Sequence, residues 1–300
     1  MKAAVYTKTD SGKVLQILDL DTPVPKDNEV LLKVHAASVN PLDWRMKTHR
    51  PGVDVAGEVV AIGQRVTLFK PGDAVFGAAK GAFAEFACAA EVALIAKPDN
   101  LTFEQAACVP IAGLTALQGL RDKGHLQPGQ QVLINGAAGG VGTFSVQIAK
   151  SLGAEVTGVC STKNLDMVRS LGADVVIDYT QTDFTLSERR YDLLLDNVGN
   201  RTLSALRRLI APRGRCVMAG APKQLWAVFA RILKAAAWRH RFIFFIAKIK
   251  KEDLAALCEL MKTGKLTPVI DRSYPLKFAA DAMTYAEQGH ARAKVIISLA

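Results

Sequence analysis

Short apolar runs follow one another through the first hundred positions. Met1–Thr7, Val14–Leu20, Glu29–Ser38, Asp54–Ile62, Ala74–Phe76 and Ala82–Ala90 are each long enough for one strand. Thr22-Pro-Val-Pro25, Pro71-Gly-Asp73 and Pro98-Asp99 break the chain between runs. Close-set strands punctuated by Gly, Pro and Asp predict a β unit of barrel or sandwich type. Thr102-Phe-Glu-Gln105 predicts a helix start, because a Thr hydroxyl accepts from the third helical N–H while Gln reaches back. The rhythm changes near Thr115. Gln131–Asn135, Glu155–Val159, Asp174–Ile177, Asp192–Asp196 and Arg215–Ala219 are apolar strands, and helical segments such as Val141–Leu152 separate them. Strand and helix in alternation predict an α/β, doubly wound parallel sheet with right-handed crossovers. Further on, the pattern predicts helices over Gln224–Ala237, Lys251–Thr263 and Lys277–Gln288. It predicts strands over Arg241–Ala247, Val269–Ile270 and Val295–Leu299, and these last pieces are candidates to rejoin the first unit.

A chain of 300 residues, half of them hydrophobic and 22% charged, can bury two cores and is too apolar for bulk disorder. The five cysteines, Cys88, Cys108, Cys160, Cys216 and Cys258, are scattered and odd in number, which predicts a reducing, cytoplasmic setting rather than a disulfide scaffold. The N-terminus lacks the apolar core and cleavage site of a signal peptide. Residues 124–149 carry no charge and approach the length of a membrane span. They include Pro128 and the cluster Gly136-Ala-Ala-Gly-Gly-Val-Gly142, so they read instead as turn, strand, glycine turn and helix start. The protein is expected to be soluble.

The formal net charge of +10 has one source. Residues 201–251 hold 13 of the 38 Lys and Arg and none of the 28 acids. Such a segment attracts anions in general, and a solvated face or a weak contact of 201–251 with an anionic membrane surface both fit. Nucleic acid is not expected, because no recognition motif accompanies the charge and only 7% of residues are aromatic.

Ala137-Ala-Gly139-Gly-Val-Gly142 fits the dinucleotide fingerprint, with Ala in the first glycine place. It follows a predicted strand and opens a predicted helix, the context that gives the motif meaning. Small residues let the backbone approach a pyrophosphate, and the helix N-terminus faces the anion. An NAD site places an acid at the end of the second strand to hold ribose hydroxyls. Here that place is Val159-Cys-Ser-Thr-Lys163, with no acid before Asp166. Ser161 and Lys163 suit a 2′-phosphate, so the expected cofactor is NADPH.

Several segments then agree with one known pattern. They are Ala36-Ala-Ser-Val-Asn-Pro-Leu-Asp43, Gly52-Val-Asp-Val-Ala-Gly-Glu-Val59, Phe69-Lys-Pro-Gly-Asp-Ala-Val-Phe76, Gly81-Ala-Phe-Ala-Glu85, Leu114-Thr-Ala116, Leu171-Gly-Ala-Asp174, Asp196-Asn-Val-Gly199 and Gly289–Val295. In this order, over nearly the whole chain, they resemble the zinc-independent medium-chain dehydrogenases/reductases, the quinone oxidoreductase-like group. The resemblance implies a GroES-like β-barrel catalytic domain formed by 1–115 and 264–300, a Rossmann domain at 116–263, and NADPH in the cleft between them. It further implies that Ala138, Gly139, Gly140 and Val141 hold the pyrophosphate and that Ser161, Lys163 and Tyr179 face the adenosine phosphate. Thr115, Val198, Gly220 and Lys294 would lie on the ribose or nicotinamide side. Asn40 would lie beside the hydride site as the catalytic candidate, with Asp43 and Asp54 in supporting or structural places.

Zinc-dependent relatives hold a catalytic metal with Cys, His and Cys; by motif position this chain offers Asn40, Val53 and Ile111, which cannot supply three N or S ligands. Their structural Cys lobe has no counterpart, since Phe76 leads directly to Gly81-Ala-Phe-Ala-Glu85. The expected reaction is therefore hydride transfer to a quinone or to an enone, whose own carbonyl is the electron sink. The loop Trp44–Pro51 is short against the family pattern and lacks the tyrosine of enoyl-thioester reductases, which argues against that chemistry. His49 in this loop is a proton-donor candidate or a solvated side chain. The short loop also keeps open a second reading, an NADPH-binding sensor or scaffold with little catalysis. Arg241–Ala247 is a long apolar edge strand, and pairing with its copy across a two-fold axis would cover it, so a homodimer is expected.

Overall fold

The structure, a computed structural model, describes every residue except 10–11, 220–240, 290 and 300. The helix expected over Gln224–Ala237 lies outside the described residues, as does Gly220. The chain divides into two compact units, Met1–Ala112 with Ile249–Gly264 and Pro268–Ala300, and Gly113–Lys248 with Lys265–Thr267.

The first unit opens with β1 (Lys2–Thr9) and β2 (Gly12–Asp19), an antiparallel pair. Next come β3 (Glu29–Ser38), the short helix α1 (Pro41–Met46) and β4 (Asp54–Ile62). β5 (Ala74–Ala78), β6 (Phe86–Ala90), β7 (Leu94–Ala96) and α2 (Phe103–Ala107) follow. Thr102 caps α2 as its sequence pattern predicts, with its hydroxyl accepting from Gln105 N at 3.1 Å. α3 (Pro110–Leu117) continues as a π-helical turn, Gln118–Lys123, into the second unit.

The second unit contains β8 (Gln131–Asn135), α4 (Gly140–Ser151), β9 (Glu155–Cys160), α5 (Leu165–Ser170), β10 (Val175–Asp178), β11 (Tyr191–Asp196), α6 (Leu203–Arg208), β12 (Ile210–Met218) and β13 (Phe242–Phe244). These strands form one all-parallel sheet in the order β10-β9-β8-β11-β12-β13. The order runs outward from β8 in both directions, so the space above β8 and β11 is where the winding reverses. Leu133, Val159, Tyr191, Leu194, Leu206 and Cys216 form a core on one side of the sheet. β13 is shorter than the expected 241–247 and pairs only with β12 among the described strands.

The chain then supplies α7 (Lys251–Lys262), β14 (Ile270–Pro275), α8 (Ala279–Glu287) and β15 (Lys294–Ser298) to the first unit. Its larger sheet has the order β14-β15-β3-β4-β5-β7, with β6 also on β3. Val30, Leu32, Val34, Val55, Val59 and Phe83 fill its centre. Each such side chain contributes ~1.5–3 kcal/mol by leaving water. One element differs from the expected 116–263 domain. α7 belongs with the first unit, where Asn100 Nδ2 donates to Met261 O at 3.3 Å and the Lys251 ammonium lies 5.9 Å from the Phe69 ring centre. Its amphipathic sequence shows that one face is buried, and carries no information about which unit buries it. No helix among the described residues is long and apolar enough to cross a membrane.

Candidate functional site

In the second unit, β8 ends at Asn135 and the chain turns sharply into α4. Gly136 adopts a left-handed φ of +80°. Its N–H and that of Ala137 both donate to Val159 O, at 3.1 and 3.0 Å, which pins the turn to the end of β9. Only glycine fits at 142, since a Cβ there would stand 2.0 Å from Gly136 O. At Gly139 a Cβ would meet nothing of the protein closer than Gly136 O at 3.4 Å, so the outer side of the turn is open. Gly139 is the N-cap of α4; it has no side chain to cap the first N–H groups, and no acid stands in the first turn. The twelve-residue helix therefore presents an uncompensated positive end. The expected pyrophosphate residues Ala138, Gly139, Gly140 and Val141 form this bend and first turn.

Neighbouring strand ends add the other expected residues. Ser161 follows β9, and its Oγ accepts from Asn164 Nδ2 at 3.1 Å. Asn164 Oδ1 is buried and has no hydrogen-bond partner. Lys163 is exposed in the turn Thr162–Asn164. Tyr179 follows β10 and is 50% exposed. Val198 follows β11 and leans over the turn, with its Cγ2 2.7 Å from where a Cβ on Gly136 would be. Thr115 is half-buried on α3.

Three residues here escaped sequence reasoning. Asp178 ends β10 directly beside Cys160 of β9. Its Oδ2 accepts from Thr162 Oγ1 at 2.5 Å and its Oδ1 from Thr180 N at 2.9 Å. The Thr162 hydroxyl, foremost, holds this carboxyl below the usual range. Asn197 follows β11, and both polar atoms of its side chain are buried without a hydrogen-bond partner. Its neighbour Asp196 accepts at Oδ1 from Asn135 Nδ2, Val198 N and Gly199 N at 2.9, 3.2 and 2.9 Å, and so shapes the loop that carries Asn197. Asn164 is the third. Asn197 stands within the matching segment Asp196-Asn-Val-Gly199 with no role assigned to it, and for Asp178 and Asn164 the signal was that each is a polar residue at or just past a parallel strand's carboxyl end, the edge where α/β sheets bind ligands.

The first unit places Asn40 and Lys294 in one buried network. Register brings their strands together, since Ser38 of β3 pairs with Ile296 of β15 and with Asp54 of β4. Lys294 Nζ donates to Asn40 Oδ1 at 2.8 Å and Val39 O at 3.2 Å, and lies 3.5 Å from Asp54 Oδ2. The same Asp54 oxygen accepts from Ser38 Oγ at 2.7 Å and Asn40 Nδ2 at 2.8 Å, while Oδ1 accepts from Ile111 N at 3.0 Å. The side chain of Lys294 is 3% exposed and that of Asp54 is 0% exposed. Both ends of the Asn40 amide are thus engaged within the unit. Burial pushes the Asp54 carboxyl up, opposed by the Lys294 ammonium and these donors. Asp43 closes the first turn of α1, accepting from Asn40 N at 2.7 Å and Gly52 N at 2.9 Å. Burial nevertheless pushes it up to about 7. Cys108 is buried and pushed up to about 12, so it carries no thiolate at neutral pH. Among the described residues no group of three His, Cys, Asp or Glu side chains could hold a metal.

Comparison with known proteins agrees with this architecture. Residues 26–99 match the alcohol dehydrogenase GroES-like domain family and residues 171–297 match the family described as zinc-binding dehydrogenase. The chain is 33% identical to the chloroplast envelope quinone oxidoreductase homolog of Arabidopsis thaliana, over 99% of this chain and 98% of that protein. It is also 33% identical to 2-methylene-furan-3-one reductase of Solanum lycopersicum, over 99% of this chain and 79% of that protein. The structure of the quinone oxidoreductase from Coxiella burnetii superposes with a TM-score of 0.88 at 31% identity, over 100% of this chain and 99% of that one.

Proposed function

The chain belongs to the medium-chain dehydrogenase/reductase family, in its quinone oxidoreductase-like group, and from that premise we propose an NADPH-dependent reductase of quinones or enones that uses no zinc. As a member of that group it is an oxidoreductase with a nicotinamide cofactor. The observation that carries the reading is the bend at Gly136–Gly142, open outward at Gly139 and set at the reversal point of a parallel sheet. The fit to a dinucleotide is good. The N–H groups of Gly140 and Val141 would hold a pyrophosphate, Ser161 and Lys163 would receive a 2′-phosphate, and Tyr179 would offer a ring to the adenosine. The buried, unpartnered amide of Asn197 and oxygen of Asn164 are hydrogen-bonding groups that a bound nucleotide would satisfy.

When bound, the nicotinamide supplies a hydride. Reduction of a quinone or a conjugated alkene takes that hydride and one proton, and the acceptor's carbonyl takes up the charge without a Lewis acid. The protein's contribution is to orient the cofactor and to hold its charges. Asn40 acts here as a positioning group, because Lys294 and Asp54 fix both ends of its amide. The lysine also bears on zinc. A divalent ion on Asn40 Oδ1 would share that oxygen with an ammonium 2.8 Å away, and the two charges repel at such range.

The relatives named as quinone and 2-methylene-furan-3-one reductases support the acceptor class. We extend the reading to a homodimer through β13, where Ile246 just beyond the strand is 88% exposed. Titration with NADPH and NADH followed by nicotinamide fluorescence, then turnover on a panel of quinones and enones, tests the proposal. Tighter NADPH binding with turnover is the expected result. Binding without turnover would convert the assignment to a sensor or scaffold, and no binding of either nucleotide would remove it. Light scattering after gel filtration reads the dimer; a monomer would refute it.

A further inference from the structure

We propose that Asp178 is a positioning residue that sets the preference for a 2′-phosphate, by clamping together the two turns that carry Ser161, Lys163 and Tyr179. The inference deepens the cofactor reading above and rests on it. The three residues come from two strand ends of the second unit. Ser161 and Lys163 follow β9, and Tyr179 follows β10. Thr162 stands between Ser161 and Lys163, and Tyr179 stands between Asp178 and Thr180. These interleaved residues are the ones that bond to one another. Asp178 Oδ2 accepts from Thr162 Oγ1 at 2.5 Å, and its Oδ1 accepts from Thr180 N at 2.9 Å and from Thr180 Oγ1 at 2.7 Å. The two threonine hydroxyls lie 2.9 Å apart. Tyr179 N also donates to Cys160 O at 3.0 Å, so backbone and side chains tie the same two turns.

Part of this arrangement is an ordinary turn. An aspartate that accepts from the N–H two residues on makes an Asx turn, and that accounts for Oδ1. It does not account for Oδ2, which meets a hydroxyl 16 positions earlier in the chain. Only the parallel register of β10 on β9 makes that bond possible. Hydrogen bonds to an ionised acceptor are the stronger kind, and two hydroxyls share this one carboxylate. The bonds also draw both carboxylate oxygens onto the threonines. The Lys163 ammonium is left without an ion pair among the described residues, open to a 2′-phosphate. Loss of the clamp frees the turn that carries Ser161 and Lys163. The cost therefore falls on NADPH rather than on NADH, which has no phosphate for that turn to hold.

The test uses the full chain and four variants. Asp178→Ala and Thr162→Val remove the clamp. Asp178→Asn keeps it, because an amide Nδ2 can donate to Thr162 Oγ1 while Oδ1 accepts from Thr180, and Thr162→Ser keeps the hydroxyl. Kd is read for NADPH and NADH by nicotinamide fluorescence, and for AMP with and without a 2′-phosphate by calorimetry. Asp178→Ala and Thr162→Val should each weaken NADPH and the 2′-phosphorylated AMP about fivefold, and change NADH and AMP by less than about twofold. Asp178→Asn and Thr162→Ser should bind like the parent. Combining Asp178→Ala with Thr162→Val should weaken binding no further than either alone, since both remove one bond. Equal weakening of every ligand, or lowered melting temperature at the parent's nucleotide preference, overturns the proposal. So does tighter NADPH binding in both Asp178 variants, which would make the carboxylate a repelling charge. A parent that binds none of these ligands removes the cofactor reading and this inference together. A parent that prefers NADPH, with all variants keeping that preference, removes this inference alone. A parent that binds NADPH and NADH equally has no preference for Asp178 to set, and that too overturns it.

Discussion

Replacing Lys294 by Met tests the electrostatic centre of the first unit. Met keeps an unbranched apolar stem of similar length and removes the ammonium. What remains is Asp54, fully buried, with Ser38, Asn40 and the Ile111 N–H as its donors. Attraction between unit charges at 3.5 Å is about 5 kcal/mol at an effective dielectric constant near ~20. Desolvation of both ions cancels much of that in the intact pair, but a lone buried charge keeps its desolvation cost, so breaking such a pair typically costs ~3–5 kcal/mol. Lys294→Met should therefore lower the unfolding free energy by roughly that amount, read by urea denaturation with circular dichroism. Lys294→Met with Asp54→Asn removes both charges and should be milder than the sum of the single changes by more than about 1 kcal/mol. Destabilisation below about 1 kcal/mol for Lys294→Met, or strict additivity in the double variant, would refute the claim that this pair organises the unit.

Gly139→Ala and Gly142→Ala should separate binding from folding. Gly142→Ala forces a Cβ to 2.0 Å from Gly136 O and should destabilise the second unit by ~1–3 kcal/mol, whereas Gly139→Ala should melt like the parent yet bind NADPH at least tenfold more weakly by fluorescence titration. Lys163→Glu should raise the KM for NADPH about tenfold while leaving that for NADH nearly unchanged; an equal effect on both would place Lys163 away from the 2′-phosphate. Asp43 supplies a pH dependence. Its folded-state pKa is raised from 3.8 to about 7, so the folded state binds the extra proton and the contribution to stability falls as pH rises from about 4 through 7. Asp43→Asn should flatten that slope in melts across the same range, and a slope of unchanged size in the variant would assign it to other groups.

How much of this was readable in the sequence depends on how far apart the interacting residues lie in the chain. The glycine bend was legible because strand, turn and helix are contiguous, and each glycine answers a local demand of backbone geometry. The position of Ser161 and Lys163 just past β9 was legible because the end of the second strand can be counted from the first. Asp178 was not, because it stands beside Cys160 only through the parallel register of β10 on β9. Its carboxylate brings an acid to the strand ends where sequence spacing showed none, already engaged by Thr162 and Thr180. The chain's two ends pose the larger difficulty. Lys294 and Asn40 are 254 positions apart, and nothing in either local pattern marks a lysine at the start of an apolar strand as buried. General composition rules place lysine on the surface. Only the registers of β15 on β3 and β3 on β4 put its ammonium against Asn40 and Asp54. The resemblance implies a ligand-side place for Lys294 and Asn40, and within the first unit the structure joins the two by a hydrogen bond of 2.8 Å. One route by which Lys294 acts on catalysis is the orientation of Asn40 and the charge of Asp54. That route predicts a change in kcat for Lys294→Met at an unchanged KM for NADPH, whereas direct contact with the cofactor would move KM.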